Sequence, residues 1–359
     1  MLRVLVSEAD WRAYTSRGAG NLALAFALAA ALVLGAHALL CAAWPALRPT
    51  GGGGDSGGDS GGDSGGDSGG DSGGGGGGGG GRGGGGALAL FVAGGVACNT
   101  LPSLVGNALF LPLYWFTPRW ADRFRAGAAA WPWQSPHAEA RRRFWSELLP
   151  QSLFRVALNH ALVAPALVAT WALMPAAMRA RVFAAAPPPA ATLLWQLAAC
   201  FAVEDVLFYL GHRVLHTPFL YRHVHFVHHE WHVTTTLTAE HAHVVEFLIS
   251  NMGPAIAGPL LFQVHAVVLW IFVCARVCVS FEEHCGFAFP WSPMRLLPFG
   301  ATVEGHTYHH ANAGGGIFAS EFAVLDAWLG TEGSFQVVRA RRLDAADATR
   351  AKAGAAMQG

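Results

Sequence analysis

The sequence predicts an all-α fold, a multispanning integral membrane helical bundle with a cytosolic, histidine-rich di-metal cap. Three observations predict it. Of the 359 residues 53% are apolar and 13% charged, a balance that suits a chain held in lipid. The apolar residues gather into stretches of membrane-spanning length. Of the 17 histidines, most of those after residue 210 stand in tight clusters beside those stretches. A formal net charge of zero, with no basic stripe, excludes nucleic acid as a partner. The six cysteines (Cys41, Cys98, Cys200, Cys274, Cys278, Cys285) include no Cys-x-x-Cys pair and imply no disulfide framework.

Residues 1–50 read as an N-terminal membrane anchor, because 21–44 are almost wholly apolar and too long for a cleavable signal. Residues 51–86 form a Gly/Asp/Ser tract with Asp-Ser every four residues (Asp55, Asp59, Asp63, Asp67, Asp71). Without apolar side chains it cannot build a core, so it is expected to be a disordered insert. Residues 87–190 hold transmembrane helices and a basic loop. Pro102 and Pro112 make 87–116 a kinked span or a hairpin. Arg119, Arg123, Arg125, Arg141, Arg142 and Arg143 place 117–150 in the cytosol. Spans are expected at 156–178 and 190–210, joined by a turn through Pro187, Pro188 and Pro189.

Residues 191–332 form the histidine-bearing domain, and 333–359 a flexible tail. Within that domain 244–281 is nearly all apolar, too long for one span of a bilayer about 30 Å thick but right for two. A break from Gly253 to Pro259 makes it a hairpin that leaves on the face it entered. The histidines before it and after it should therefore meet.

Those histidines carry the functional expectation. His212 and His216 are one helical turn apart and share a face. His225, His228 and His229 have i, i+3, i+4 spacing, repeated by His306, His309 and His310. Pro218 is expected to end the helix that bears the pair. With His284 these are nine imidazoles, enough for two metals, and His243 is expected to join them. Glu204, Asp205, Glu240 and Glu246 stand at spacings that let them accept the distal ring N–H of a ligand. His232 and His241 are weaker candidates, and His137, His223 and His265 bystanders. A nitrogen-rich set suits iron, though zinc and copper also accept imidazole. Iron would imply dioxygen activation for attack on an unactivated C–H bond. With no nucleotide-binding fingerprint in the chain, electrons must come from a separate redox partner.

From Glu204 to about Gly330 the chain resembles the fatty acid hydroxylase/sterol desaturase superfamily, and within it the C-4 methylsterol monooxygenases. The resemblance rests on Glu204-Asp-Val-Leu-Phe-Tyr-Leu-Gly-His-Arg-Val-Leu-His216 and Leu220-Tyr-Arg-His-Val-His-Phe-Val-His-His-Glu230. It continues with Glu283-His284-Cys-Gly-Phe-Ala-Phe-Pro-Trp-Ser-Pro293, His306-Thr-Tyr-His-His310 and Asp326-Ala-Trp-Leu-Gly-Thr331.

The resemblance implies a fatty acid hydroxylase-type catalytic domain over 191–332 in a multi-pass protein of the endoplasmic reticulum membrane. It implies two Fe ions, with zinc possible in purified material, on the cytosolic face. It also implies O2 as co-substrate, electrons from NAD(P)H through cytochrome b5 and its reductase, and oxidation of a sterol C-4 methyl group. The implied ligands are His212, His216, His225, His228, His229, His243, His284, His306, His309 and His310. Other lipid hydroxylases or desaturases (sterol 25-hydroxylase-like, C-5 desaturase-like, fatty acyl hydroxylase) and a non-catalytic lipid-binding paralogue with structural metal are the alternatives. The chain departs from the family pattern at Thr234-Thr235-Thr236, at Glu240-His241-Ala-His243-Val244 and at Thr307, where the family has aspartate. That last departure leaves Glu304 as the nearby carboxylate able to take the missing acceptor's place.

Overall fold

The computed structural model describes residues 19–48, 82–184, 186–297 and 299–338. Among the described residues all regular structure is helical, and extended pairing is limited to the isolated bridges Arg125–Phe287 and Gly300–Phe322. Among the described residues five helices are long and apolar enough to cross a membrane: Ala30–Leu47, Gly85–Phe116, Ala138–Leu173, Ala190–Leu215 and Val244–Leu261. The main elements are α1 (Ala19–Leu47), α2 (Arg82–Phe116), α3 (Leu149–Leu173), α4 (Ala190–Leu215), α5 (Gly253–Leu261), α6 (Ala266–His284), α7 (Val303–Ala311) and α8 (Val324–Leu329).

Lipid explains the outer surface. Leu101, Leu104, Leu109 and Leu111 on α2, Phe154 on α3 and Leu210 on α4 all stand exposed. In water each would forgo about 1.5–3 kcal/mol of burial; against acyl chains it forgoes nothing. Helix α6 forms the inner element, with every residue from Ala266 to Phe272 buried. Its closest neighbour is α2, where Gly94 lies on Trp270 and Gly106 on Phe281. A Cβ at either glycine would overlap the ring, so the small residues set the distance between the two helices.

Several boundaries differ from the sequence expectation. Residues 87–116 form one helix, neither broken nor folded back, and it begins at Arg82 inside the expected insert. Proline is tolerated there because the freed backbone finds another donor. The Cys98 carbonyl, four residues before Pro102, accepts the Cys274 thiol at 3.6 Å. The insert up to residue 81 and residues 1–18 lie outside the described residues, as do 339–359 of the expected tail, whereas 333–338 are helical.

The span expected at 156–178 starts much earlier. A six-residue α-helix (Ala138–Arg143) and a π-helical turn (Phe144–Leu148) run directly into α3, which ends at Leu173. Residues 244–281 do form two helical segments, but the break is Phe262–His265, with Gln263 at φ 48°, and of the two only Val244–Leu261 is among the helices long and apolar enough to cross a membrane. Gly253 and Pro254 instead lie inside the continuous helical run Val244–Leu261, where the π-helical turn Phe247–Met252 passes into α5. Pro218 opens a short helix (Pro218–His223) rather than ending α4, which is capped at His216.

Candidate metal centre

The hairpin of α5 and α6 brings the histidine clusters together in one buried place. Two groups form, His212, His216, His225, His229 and His309 in the first, and His228, His284, His306 and His310 in the second. Within each group one ring nitrogen per histidine lies within 4.8 Å of the others. Two nitrogens on opposite sides of a metal at about 2.1 Å would be about 4 Å apart, so the span suits one ion per group. The sequence triplets do not act as units. The residues of 225–230 form a 3-10 helix, and His225 and His229 turn to the first group while His228 turns to the second. On α7 His309 joins the first group, and His306 and His310 the second.

Backbone carbonyls set the tautomers. His212 Nδ1 donates to Phe318 O at 2.9 Å and His309 Nδ1 to Gly316 O at 2.8 Å. His228 Nδ1 donates to His241 O at 3.1 Å, His284 Nδ1 to Ser280 O at 2.7 Å and His310 Nδ1 to Trp231 O at 3.0 Å. A carbonyl can only accept, so each of these five rings carries its proton on Nδ1 and turns a lone pair on Nε2 inward. His228 Nε2 and His284 Nε2 then face each other at 3.4 Å with no proton between them. The buried Nε2 atoms of His216, His309 and His310 have no protein partner. Lone pairs packed this way repel one another unless a cation lies among them, so the donor set fits bound metal.

Burial reinforces this. It pushes His216 down to about 2, His228 to about 3 and His284 to about 4, and neighbouring imidazoles add to the shift of His216 and His228. His229, His306, His309 and His310 are driven down by the same cause. All seven are neutral at physiological pH and so have lone pairs free to bind a metal.

The expected supporting carboxylates divide. Glu246 Oε1 lies 2.9 Å from His225 Nδ1 and is the one of the four that reaches a clustered imidazole. Glu204 pairs with Arg276, Asp205 accepts from Phe322 N at 2.9 Å, and Glu240 pairs with His160 at 2.8 Å. A position seven or eight residues before His212 on a straight helix lies about two turns below the ligands, too far for contact.

His243 belongs to neither group. It caps the turn Val244–Glu246, its Nδ1 accepting from Val245 N at 3.1 Å. His241 gives its carbonyl to His228 and its ring to Glu230 at 3.0 Å. Glu304 does not replace the missing aspartate; it pairs with Arg295 at 2.6 Å. Thr307 instead meets Thr234 at 3.3 Å, so two departures from the family pattern touch each other. His223 bonds within its own turn, and His265 caps α6, packs on Trp44 and donates to Ala184 O at 3.4 Å, both apart from the clustered rings.

Sequence reasoning missed the groups that hold the ligand-bearing backbone. Buried Asp326 accepts from Phe318 N at 2.9 Å, from Ala319 N at 2.9 Å and from Thr331 Oγ1 at 2.5 Å. It thereby fixes the loop whose carbonyls orient His212 and His309. Gly316, at φ 78°, packs on the Thr331 carbonyl where no Cβ fits. A cavity of about 20 Å³ touches both groups and is lined also by Glu246, Arg276, Glu283 and Glu321, with room for a water-sized molecule. A larger one of about 510 Å³ lies against Thr307, Tyr308 and Ala311 of α7 and is lined by none of the clustered histidines.

Fold and site define a membrane-spanning helical protein with a buried polyhistidine centre. Residues 197–331 match the family model for fatty acid hydroxylase. The chain belongs to the fatty acid hydroxylase family. It is 40% identical over 147 residues to very-long-chain aldehyde decarbonylase GL1-8 of Oryza sativa subsp. japonica, covering 40% of this chain and 54% of that one. It is 37% identical over 163 residues to methylsterol monooxygenase 2-1 of Arabidopsis thaliana, covering 40% and 58%. A Dictyostelium discoideum protein whose name places it with the methylsterol monooxygenases is 36% identical over 184 residues, covering 51% and 67%. The chain thus spans little more than half the length of the rice and Arabidopsis relatives. No solved structure matches it.

Proposed function

We propose that this protein is a membrane-bound non-haem di-iron oxygenase acting on a sterol, at the C-4 methyl group of a methylsterol. The observation that carries this is the pair of buried imidazole groups side by side in a helical membrane protein. Five imidazoles in one group exceed the four ligands of a structural zinc, which favours a metal of higher coordination number such as iron. When bound, two irons supply activation of dioxygen for attack on an unactivated C–H bond.

The residues do the rest. The nine clustered histidines hold the ions, and the carbonyls of Phe318, Gly316, His241, Ser280 and Trp231 orient five of the rings. Glu246 steadies His225. Tight burial keeps bulk water from the centre, and the 20 Å³ cavity leaves space beside both groups for a small molecule. Electrons arrive from NAD(P)H through cytochrome b5 and its reductase, since the chain carries no nucleotide fingerprint of its own. The endoplasmic reticulum membrane, with the histidines on the cytosolic face, is the setting the family resemblance implies.

The rice relatives' name favours a second reading, in which the substrate is a very-long-chain aldehyde. Lipid profiling after deletion separates the two. Accumulated 4-methylsterols support the first reading, and accumulated long-chain aldehydes with an unchanged sterol pool replace it with the second. Metal analysis tests the shared premise: two zinc ions and no oxygen consumption with any lipid would sink the enzyme reading.

A further inference from the structure

Ser152 and Asn159 are both buried on α3, at 0% and 1% exposure, in a helix whose other buried residues are Val163, Leu167 and Trp171. They are seven residues apart and therefore share a face. A polar side chain inside a membrane helix is costly unless it is bonded to something that needs it. Both are bonded to the chain that carries the second histidine group.

Ser152 donates its hydroxyl to Leu148 O at 2.7 Å and accepts the Trp231 indole N–H at 2.9 Å. The carbonyl of the same Trp231 accepts from His310 Nδ1 at 3.0 Å. Asn159 donates to two carbonyls, Glu240 O at 3.3 Å and Ala242 O at 3.2 Å. Between them lies His241, whose carbonyl accepts from His228 Nδ1 at 3.1 Å. The Glu240 side chain closes the clamp, accepting from Ser103 of α2 and from His160 of α3 at 2.8 Å. Two ligands of the second group are thus oriented by backbone that a membrane helix holds in place. Those of the first group are held from other helices: the loop behind His212 and His309 is fixed by Asp326 and bonded to Asp205 and Tyr209 of α4, and His225 is bonded to Glu246.

We propose that Ser152 and Asn159 are positioning residues for the second metal, so that one face of α3 decides whether the centre holds one ion or two. The proposal rests on the two-metal reading above. Outer partners that orient an imidazole ligand are worth about 10–100-fold in metal affinity. Asn159→Ala and Ser152→Ala should each weaken the second ion by about that factor and leave the first unchanged.

The test loads the purified full-length wild type and each variant with cobalt(II). Stoichiometry and the ligand-field spectrum are then followed against free metal. Two ions in the wild type, with one site selectively weakened in either variant, is the expected result. Two ions held equally well in both variants would overturn the inference while leaving the two-metal reading intact; one ion or none in the wild type would overturn that reading itself. Loss of both ions together would assign the residues to general folding and reject the selective role. Asn159→Asp, which keeps the size but gives up the paired N–H donors, should behave as Asn159→Ala does, and Ser152→Thr, which keeps the hydroxyl, should restore the second ion.

Discussion

The two histidine groups are alike in chemistry and unlike in support. The first, around His212 and His309, is oriented by a loop in the cap that Asp326 holds from within the same C-terminal segment. The second, around His228 and His310, is oriented by backbone tied to α3, and His284 by the preceding turn of α6 itself. Tyr114 of α2 adds to this, donating to Cys285 O at 3.0 Å and accepting from Thr236 N at 2.9 Å. One centre therefore leans on the C-terminal loop and its bonds to α4, and the other on the packing of α3 and α2. Equivalent ligands need not share a common scaffold.

The sharpest way to break this comparison uses two neighbours. His309 and His310 are adjacent in sequence but face different groups. His309→Ala should strip the first ion and abolish oxidation while the protein still inserts in the membrane. His310→Ala should strip the second instead. Each loss should exceed the effect of removing an outer partner, about 100-fold or more in affinity. Metal counting on the two variants checks this, and persisting lipid oxidation in His309→Ala would show that the ligand assignment is wrong.

Next in size is Asp326→Ala. It leaves the buried N–H groups of Phe318 and Ala319 and the Thr331 hydroxyl without their acceptor. At about 1–3 kcal/mol for each unsatisfied group, a loss of about 3 kcal/mol or more is expected. The first ion should weaken before the second. Denaturation in detergent gives the stability, and metal titration gives the order; a variant that lost the second ion first would invert the proposed division of support.

What could be read beforehand follows the same division. The nine clustered histidines stand out because imidazole spacing beside apolar stretches is a side-chain pattern, and the hairpin at 244–281 was legible from length alone. Their allotment to two groups was not, because in each triplet the i and i+4 rings face one group and the i+3 ring the other, in the 3-10 run from His225 and in α-helical α7 alike, a division that depends on where the other clusters pack. The supporting acceptors were illegible for a plainer reason. Five of them are main-chain carbonyls, which every residue possesses. Glu204 and Glu240 look like ligand supports by spacing but pair with Arg276 and His160, partners distant in sequence. Asn159 did leave a sign, as a polar residue inside the expected span at 156–178, whereas Ser152 lay before it.

Acid should separate the groups more gently. In the metal-free protein His284 and His228 of the second group are lowered to about 4 and about 3, and His216 of the first to about 2. An unfolded histidine takes up its proton near 6.5. Between that value and the folded one the unfolded chain binds more protons, so stability falls as pH falls from about 6.5 towards 4. Each histidine contributes up to about 1.4 kcal/mol per pH unit in that window. Melting temperatures of metal-free protein should drop steadily below pH 6.5, and the metal-loaded protein should release its second ion at the higher pH. A flat profile from pH 7 to 5 would mean that these rings are not buried in neutral form.

The smallest expected effect belongs to His243, the histidine that sequence pattern joins to the ligands and the fold sets apart. Its ring caps the turn Val244–Glu246 by accepting from Val245 N at 3.1 Å, and it is a member of neither group. Replacing a capping side chain with alanine costs about 0.5–2 kcal/mol. His243→Ala should therefore lower stability slightly, keep both ions and retain most of the activity. Glu246 follows at the end of the same turn and touches His225, so any loss of metal should fall on the first group alone. Should His243→Ala lose an ion outright, as His309→Ala and His310→Ala are expected to, the histidine would count as a tenth ligand and the separation of the two groups would have to be redrawn around it.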